Sequence, residues 1–177
     1  TRFGSVWSGW WSARGGRAGG DGNGLLLSRP HARRPEKPNA SLWELQVPMV
    51  KAYLNALPDG RNPRILASRS VFVADDRAEA LRLAEKGLSR QVRKFRAAGH
   101  TIDDTNIDTL IRTFDVHIGT PEEVVASLLR DRTLEHATEI AIQVHSIDPE
   151  HTYILRSLEL FATQVAPVLH EYFSRTN

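Results

Sequence analysis

The sequence predicts an α/β fold made of parallel strand–helix–strand units. Runs of strand length and stretches of helical period alternate along it: strand, helix, strand, three helices, strand, helix. The 177 residues are 41% hydrophobic and 25% charged, which is enough apolar material for a buried core and argues against wholesale disorder.

The first confident strand is Gly24-Leu25-Leu26-Leu27-Ser28, a short apolar run bounded by a turn, the pattern of a buried strand. A loop follows from Arg29 to Pro38, where three prolines and a crowd of basic side chains exclude helix and strand. Ser41 with Glu44 is a capping box, but Pro48 interrupts, so the spacing predicts a helix over 47–57 with Pro near its start. Met49, Tyr53 and Ala56 mark its apolar side, and Pro58-Asp59-Gly60 ends it.

Residues 65–74 form the clearest strand, with Val71 and Val73 on one face and Ser68, Ser70 and Phe72 on the other. Asp75 or Asp76 then caps a long helix. Asp76 and Glu79 match a capping box, and Leu81, Ala84, Leu88, Val92 and Phe95 follow at helical spacing until Gly99. A shorter helix is expected over 102–114, with Ile107, Leu110, Ile111 and Phe114 inward. Gly119-Thr120-Pro121-Glu122-Glu123 is a strong helix start, with Thr120 as N-cap, Pro121 at the first helical position and Glu123 at the third. Ile140, Ile142 and Val144 then alternate with Ala141 and Gln143 in a strand ending near His145. Asp148-Pro149 opens a last helix reaching about Phe173, its apolar stripe being Leu155, Leu158, Phe161, Val165, Leu169 and Tyr172. With three such strands and a fourth around 5–11, the count suits an open sheet or part of a larger one better than a closed barrel.

The first quarter differs from the rest. Residues 1–64 hold ten Lys/Arg against four Asp/Glu, residues 65–177 thirteen against seventeen, and eight of the twelve glycines fall in 1–24. Residues 1–23 therefore read as a loose Gly/Trp-rich segment and 24–177 as the compact part. The net charge of +2 demands no nucleic-acid or membrane partner. The basic start with Trp7, Trp10 and Trp11 leaves a weak nucleic-acid-binding module as an alternative. No cysteine is present, which removes disulfides, thiolate metal sites and a Cys nucleophile and is compatible with a reducing cytosol. No apolar run approaches a membrane span, and the start shows no signal peptide. The chain begins without Met, as a processed or partial product would. His136, His145 and His151 lack the spacing of ligands on one helix face, so no metal site is expected.

Four stretches together carry a resemblance. They are Ile65-Leu-Ala-Ser-Arg-Ser-Val-Phe-Val-Ala-Asp-Asp-Arg-Ala-Glu-Ala80, Gly119-Thr-Pro-Glu-Glu-Val-Val-Ala-Ser-Leu-Leu129, Ala141-Ile-Gln-Val-His-Ser-Ile-Asp-Pro149 and Leu155-Arg-Ser-Leu-Glu-Leu-Phe-Ala-Thr-Gln-Val-Ala-Pro167. They resemble the luciferase-like flavin monooxygenases, (β/α)8 barrels related to bacterial luciferase and alkanesulfonate monooxygenase. The likeness runs over about residues 22–174 and is nearest to an FMN-dependent subgroup of unassigned substrate. It implies a partial TIM barrel, the C-terminal three to four βα units with parallel strands, in a family about twice as long. Leu25–Leu27 and their flanks would be the sixth strand, 65–74 the seventh and 140–145 the last.

Function in such barrels gathers at the C-terminal ends of strands. That rule selects Ser28, Arg29 and His31 after one strand and His145 and Ser146 after the last. His145 is the catalytic candidate, since a neutral imidazole there can hydrogen-bond a substrate or a flavin-bound oxygen. The resemblance makes the FMN phosphate the partner of Arg29, whose guanidinium binds phosphate bidentately, and of a glycine-rich turn at Ser12, Gly15 and Gly16. Ser28, Ser68, Ser70 and Ser146 are the substrate-binding candidates. The resemblance further implies reduced FMN from a separate reductase, O2 and a small organic substrate, with the deazaflavin of some relatives as the other cofactor. A cytoplasmic home and a homo-oligomer, or a separate chain supplying the missing half of the barrel, complete the expectation. The non-enzymatic alternative is a barrel remnant that serves only as a packing or dimerising module.

Overall fold

The structure, a computed structural model, describes residues 13–29, 37, 40–99, 102–144 and 147–176. The expected strand at 5–11 lies outside them. The chain divides into two compact units, Thr1–Ser68 with Asp131–Ala141, and Arg69–Arg130 with Ile142–Asn177.

The first unit opens with a helix, α1, over 13–20, where the sequence suggested a loose glycine-rich turn. Its glycines explain the difference. A Cβ on Gly15 would lie 2.6 Å from the carbonyl oxygen of Met49, and one on Gly19 would overlap the carbonyl of Tyr53. The glycines cost helix propensity, and the backbone approach they permit returns it as packing. Gly22, at φ 68°, closes α1 in a Schellman arrangement, with Gly22 N–H donating to Gly19 O and Asn23 N–H to Ala18 O, both at 2.8 Å.

Strand β1, Leu25–Leu27, pairs in parallel with Ile65–Ala67 at the start of β2, Ile65–Val73. Leu25 and Leu27 face α2, Leu42–Ala56, and join Met49, Val50, Tyr53 and Ile65 in one apolar cluster. Helix α2 starts five residues earlier than expected. The Glu44 carboxylate accepts from Ser41 N–H at 2.8 Å, so the capping box does start the helix. Pro48 lies inside it without ending it. The buried line Leu42, Gln46, Met49, Val50 and Tyr53 spans the proline, and its burial outweighs one missing backbone bond. The Tyr53 hydroxyl accepts from Arg64 N–H at 3.1 Å and ties α2 to the approach of β2. A 3-10 turn at Leu134–His136 leads to β4, Glu139–Gln143, which pairs with β2. Just before it, Thr138 bonds Ile65 through both backbone and hydroxyl.

In the second unit, the later part of β2 pairs in parallel with β3, Val116–Gly119. Strand β3 has no counterpart among the expected elements, because its two apolar positions are crowded by the helix start at Thr120. Helix α3 runs Arg77–Ala97, with Asp76 as the cap accepting from Glu79 N–H at 2.9 Å. Helix α4, Ile107–Thr113, is shorter than expected because Asn106 caps it, accepting from Thr109 N–H at 2.9 Å. Helix α5, Pro121–Leu129, begins with the anticipated Thr120–Glu123 box. The core of this unit joins Phe72, Val116 and Ile118 from the strands to Ala80, Leu83, Ala84, Leu88, Val92 and Leu110 from the helices.

The last helix is α6, His151–Leu160, continued through a π turn at Phe161–Val165 into α7, Ala166–Thr176. Its buried line is Ser157, Leu160, Val165 and Leu169, whereas Leu155, Leu158 and Tyr172 of the expected stripe are exposed. The five-residue step from Leu160 to Val165 is what a π turn supplies, and no 3.6-residue period contains it.

Candidate functional site

In the first unit the candidates meet where β1 leaves the sheet. The β1–β2 ladder ends with Leu27 opposite Ala67. Carried one step further, the register sets Ser28 level with Ser68. Alternation within β2 places Ser68 on the side of Leu66, away from the Leu25–Leu27–Ile65 side that α2 covers. That side is open at Leu26, which is 67% exposed. Ser28 is exposed, Ser68 buried and Arg29 half-buried. Burial pushes the Arg29 guanidinium below its ordinary value. The structure thus brings Ser28, Arg29 and Ser68 to one strand end.

Gln46 was not singled out in the sequence. It is fully buried on α2, and its Nε2 donates to the carbonyl of Ser28 at 2.8 Å. The signal was a lone amide among Leu42, Met49, Val50 and Tyr53, positions that share one helix face. Arg69, fully buried in β2, was also passed over.

The cofactor candidates Gly15 and Gly16 lie in α1, not in a turn. For Gly15 the space beside Cα is filled by the α2 backbone, so its missing side chain serves helix packing. Ser12 lies outside the described residues.

In the second unit Ser70 is buried opposite Val116 in the β2–β3 ladder. It shares that face with Phe72 and Ile118, which belong to the apolar cluster that α3 joins. Asp75 follows β2. Its carboxylate accepts from Arg156 Nε at 3.0 Å and Nη2 at 2.6 Å. These hydrogen bonds from Arg156 hold it below the usual carboxylate range and push the guanidinium above its own. Asp75 therefore binds α6, and Asp76 alone caps α3.

His145 and Ser146 also lie outside the described residues, but their flanks do not. Val144 and Ile147 are buried in the α3 cluster, and Gly87 of α3 lies directly beneath the carbonyl of Ile147. Arg90 donates to the carbonyls of Ile147 and Asp148 and pairs with the Asp148 carboxylate at 3.1 Å. A further polar pair, His117 Nδ1 and Ser127 Oγ at 2.8 Å, joins β3 to α5. Among the described residues no three His, Asp or Glu side chains gather to hold a metal, and no helix is long and apolar enough to cross a membrane.

With this geometry in place, comparison with known proteins gives the fold a setting. No family model and no curated protein sequence matches the chain. Solved structures do. The monooxygenase RslO1 from Streptomyces bottropensis overlaps at a TM-score of 0.60 and 24% identity, over 88% of this chain and 45% of that one. The apo form of MsnO8 overlaps at a TM-score of 0.56 and 19% identity, over 85% and 47% respectively. The chain thus shares an α/β fold with part of these structures and spans less than half the length of either. The oxygenating constituent of 3,6-diketocamphane monooxygenase from Pseudomonas putida, solved with FMN, overlaps at a TM-score of 0.48 and 21% identity, over 86% and 44%. That overlap is too slight to add to the fold.

Proposed function

We propose that this chain is the C-terminal part of a flavin-dependent monooxygenase barrel, a partial (β/α)8 fold that oxygenates a small organic substrate with reduced FMN and O2. The observation that supports this reading is the parallel α/β fold shared with part of RslO1, over 88% of the chain. When bound, the flavin supplies the oxygen-activating redox chemistry, and the protein supplies binding and orientation.

The residues present suit a flavin phosphate at one place. Arg29 is a half-buried cation that follows the exposed Ser28 just beyond the end of β1. A guanidinium so placed forms paired hydrogen bonds with a phosphate, and its partial desolvation strengthens them. The backbone N–H groups of Ser12, Gly15 and Gly16 are assigned to the same phosphate. Ser28, Ser68, Ser70 and Ser146 are assigned to hydrogen bonds with the substrate. His145 holds or gives a proton at the substrate oxygen. Reduced FMN comes from a separate reductase, with deazaflavin as the competing cofactor, and the enzyme works in the cytoplasm as a homo-oligomer or with a second barrel half.

FMN titration of the purified chain, read by flavin fluorescence alongside size-exclusion chromatography, tests the reading. Saturable binding at micromolar FMN is the expected result. Absence of binding together with an oligomer on the column overturns it. That outcome favours the second reading, a packing or dimerising module, which the exposed apolar side chains of Leu26, Leu155 and Val168 support.

A further inference from the structure

We infer that Gln46 is a positioning residue that sets the Ser28–Arg29 corner as a phosphomonoester site. The inference rests on the reading of Arg29 as an anion-binding residue.

A fully buried amide is costly unless bonded, and an apolar side chain at position 46 would fill the same space on α2. Gln46 adds a directed bond, from Nε2 to the Ser28 carbonyl at 2.8 Å. That carbonyl is the first beyond the last ladder pair, Leu27 and Ala67, so the amide takes over where the sheet stops holding the chain. The Ser28 carbonyl and the Arg29 N–H belong to one planar peptide unit. Fixing the carbonyl fixes that plane, and with it the direction in which Arg29 departs.

The post that carries Gln46 is itself fixed. Tyr53, two turns further along α2, accepts from Arg64 N–H ahead of β2, and Gly15 and Gly19 seat α1 on the α2 backbone. Gln46 is also neutral, so it orients the corner without offering an anion to compete with phosphate for Arg29. A guanidinium with a fixed approach matches a phosphate geometrically, which a freely swinging one does not. The ligand chemistry is a phosphate monoester, whether the tail of a flavin or another phosphorylated molecule.

The test uses the full chain and inorganic phosphate, followed by the NMR signal of the Arg29 Nε–H. The wild type should show a saturable shift. Gln46→Leu and Gln46→Glu, each checked for an intact fold by circular dichroism, should bind phosphate about tenfold more weakly. In the wild type the Gln46 side-chain NH2 signal should move with the same titration curve. No saturable shift at Arg29, an unmoved Gln46 signal, or unchanged affinity in a folded variant each overturns the inference. FMN and riboflavin separate the sources. Displacement of phosphate by FMN and not by riboflavin identifies the flavin tail. Failure of both, with the phosphate shift and its Gln46 dependence intact, overturns the flavin reading and upholds the positioning role.

Discussion

At the residue scale, the decisive side chains are those whose absence or polarity permits one contact. Gly87 is the sharpest case. A Cβ there would overlap the Ile147 carbonyl, and backbone on both sides leaves nothing flexible to yield. Gly87→Ala should therefore destabilise the chain by about 2–4 kcal/mol, measured by urea unfolding, because overpacking forces α3 from the segment after β4. A loss below about 0.5 kcal/mol would show that the two backbones do not meet there. Ser157 makes the opposite kind of contact. Its hydroxyl accepts from the buried Val73 N–H at 2.8 Å, at the end of β2. Ser157→Ala leaves that donor unsatisfied and should cost about 1–3 kcal/mol in the same assay. Both residues looked ordinary in the sequence.

At the element scale, α2 and α6 show local propensity overruled by packing and confirmed by charge. Pro48 is exposed and interior to α2, so it contributes no buried area and removes one helical bond. Pro48→Ala should raise stability by about 1–3 kcal/mol and the melting temperature with it, and a fall would mean that the ring holds a bend the helix needs. Helix α6 is tied to the end of β2 by Arg156 and Asp75. Asp75 has a lowered pKa in the folded chain, so its contribution is present above the ordinary carboxylate range and is lost as pH falls through the lowered value. Wild type should therefore exceed Arg156→Leu in stability at neutral pH, and the difference should shrink as acid takes the solution below the ordinary carboxylate range. A difference that persists in acid would assign the contribution of Arg156 to packing of its stem. The pair is exposed to solvent, so salt should shrink the difference as well.

At the scale of the whole molecule, the proposed flavin reading has a thermodynamic consequence. A ligand that binds only the folded chain stabilises it by mass action, by about 2.7 kcal/mol at a hundred times its dissociation constant. FMN should raise the melting temperature in a concentration-dependent way, and riboflavin should do so less if the phosphate is held at Arg29. Equal shifts from both would place the contact on the ring system, and no shift from either would overturn the flavin reading. Arg29→Ala should abolish the difference between FMN and riboflavin while leaving the melting temperature without ligand nearly unchanged, since half-buried loop charges contribute little to folding.

The sequence by itself determined the alternation of parallel strands and helices, because hydrophobic period and caps are local. Asp76, Asn106 and Thr120 lie where backbone N–H groups need acceptors, and residues 65–73 are apolar enough to be buried as a strand. Of the candidate site, Ser28 and Arg29 were legible as strand-end residues, and Ser68 follows the last ladder partner, Ala67. The tertiary structure decided the rest. Whether the glycines of α1 form a turn or a helix seat depends on the Met49 and Tyr53 carbonyls, some thirty-four residues away in the chain. The brief strand Val116–Gly119 exists because Ser70–Val73 offers it an edge, and no window of four residues can announce that. The burial of Gln46 became meaningful only when the Ser28 carbonyl, eighteen residues earlier, came within 2.8 Å. In each case the stabilising partner is distant along the chain. Local sequence records a residue's own preferences, and the choice among them belongs to whichever backbone the fold brings against it.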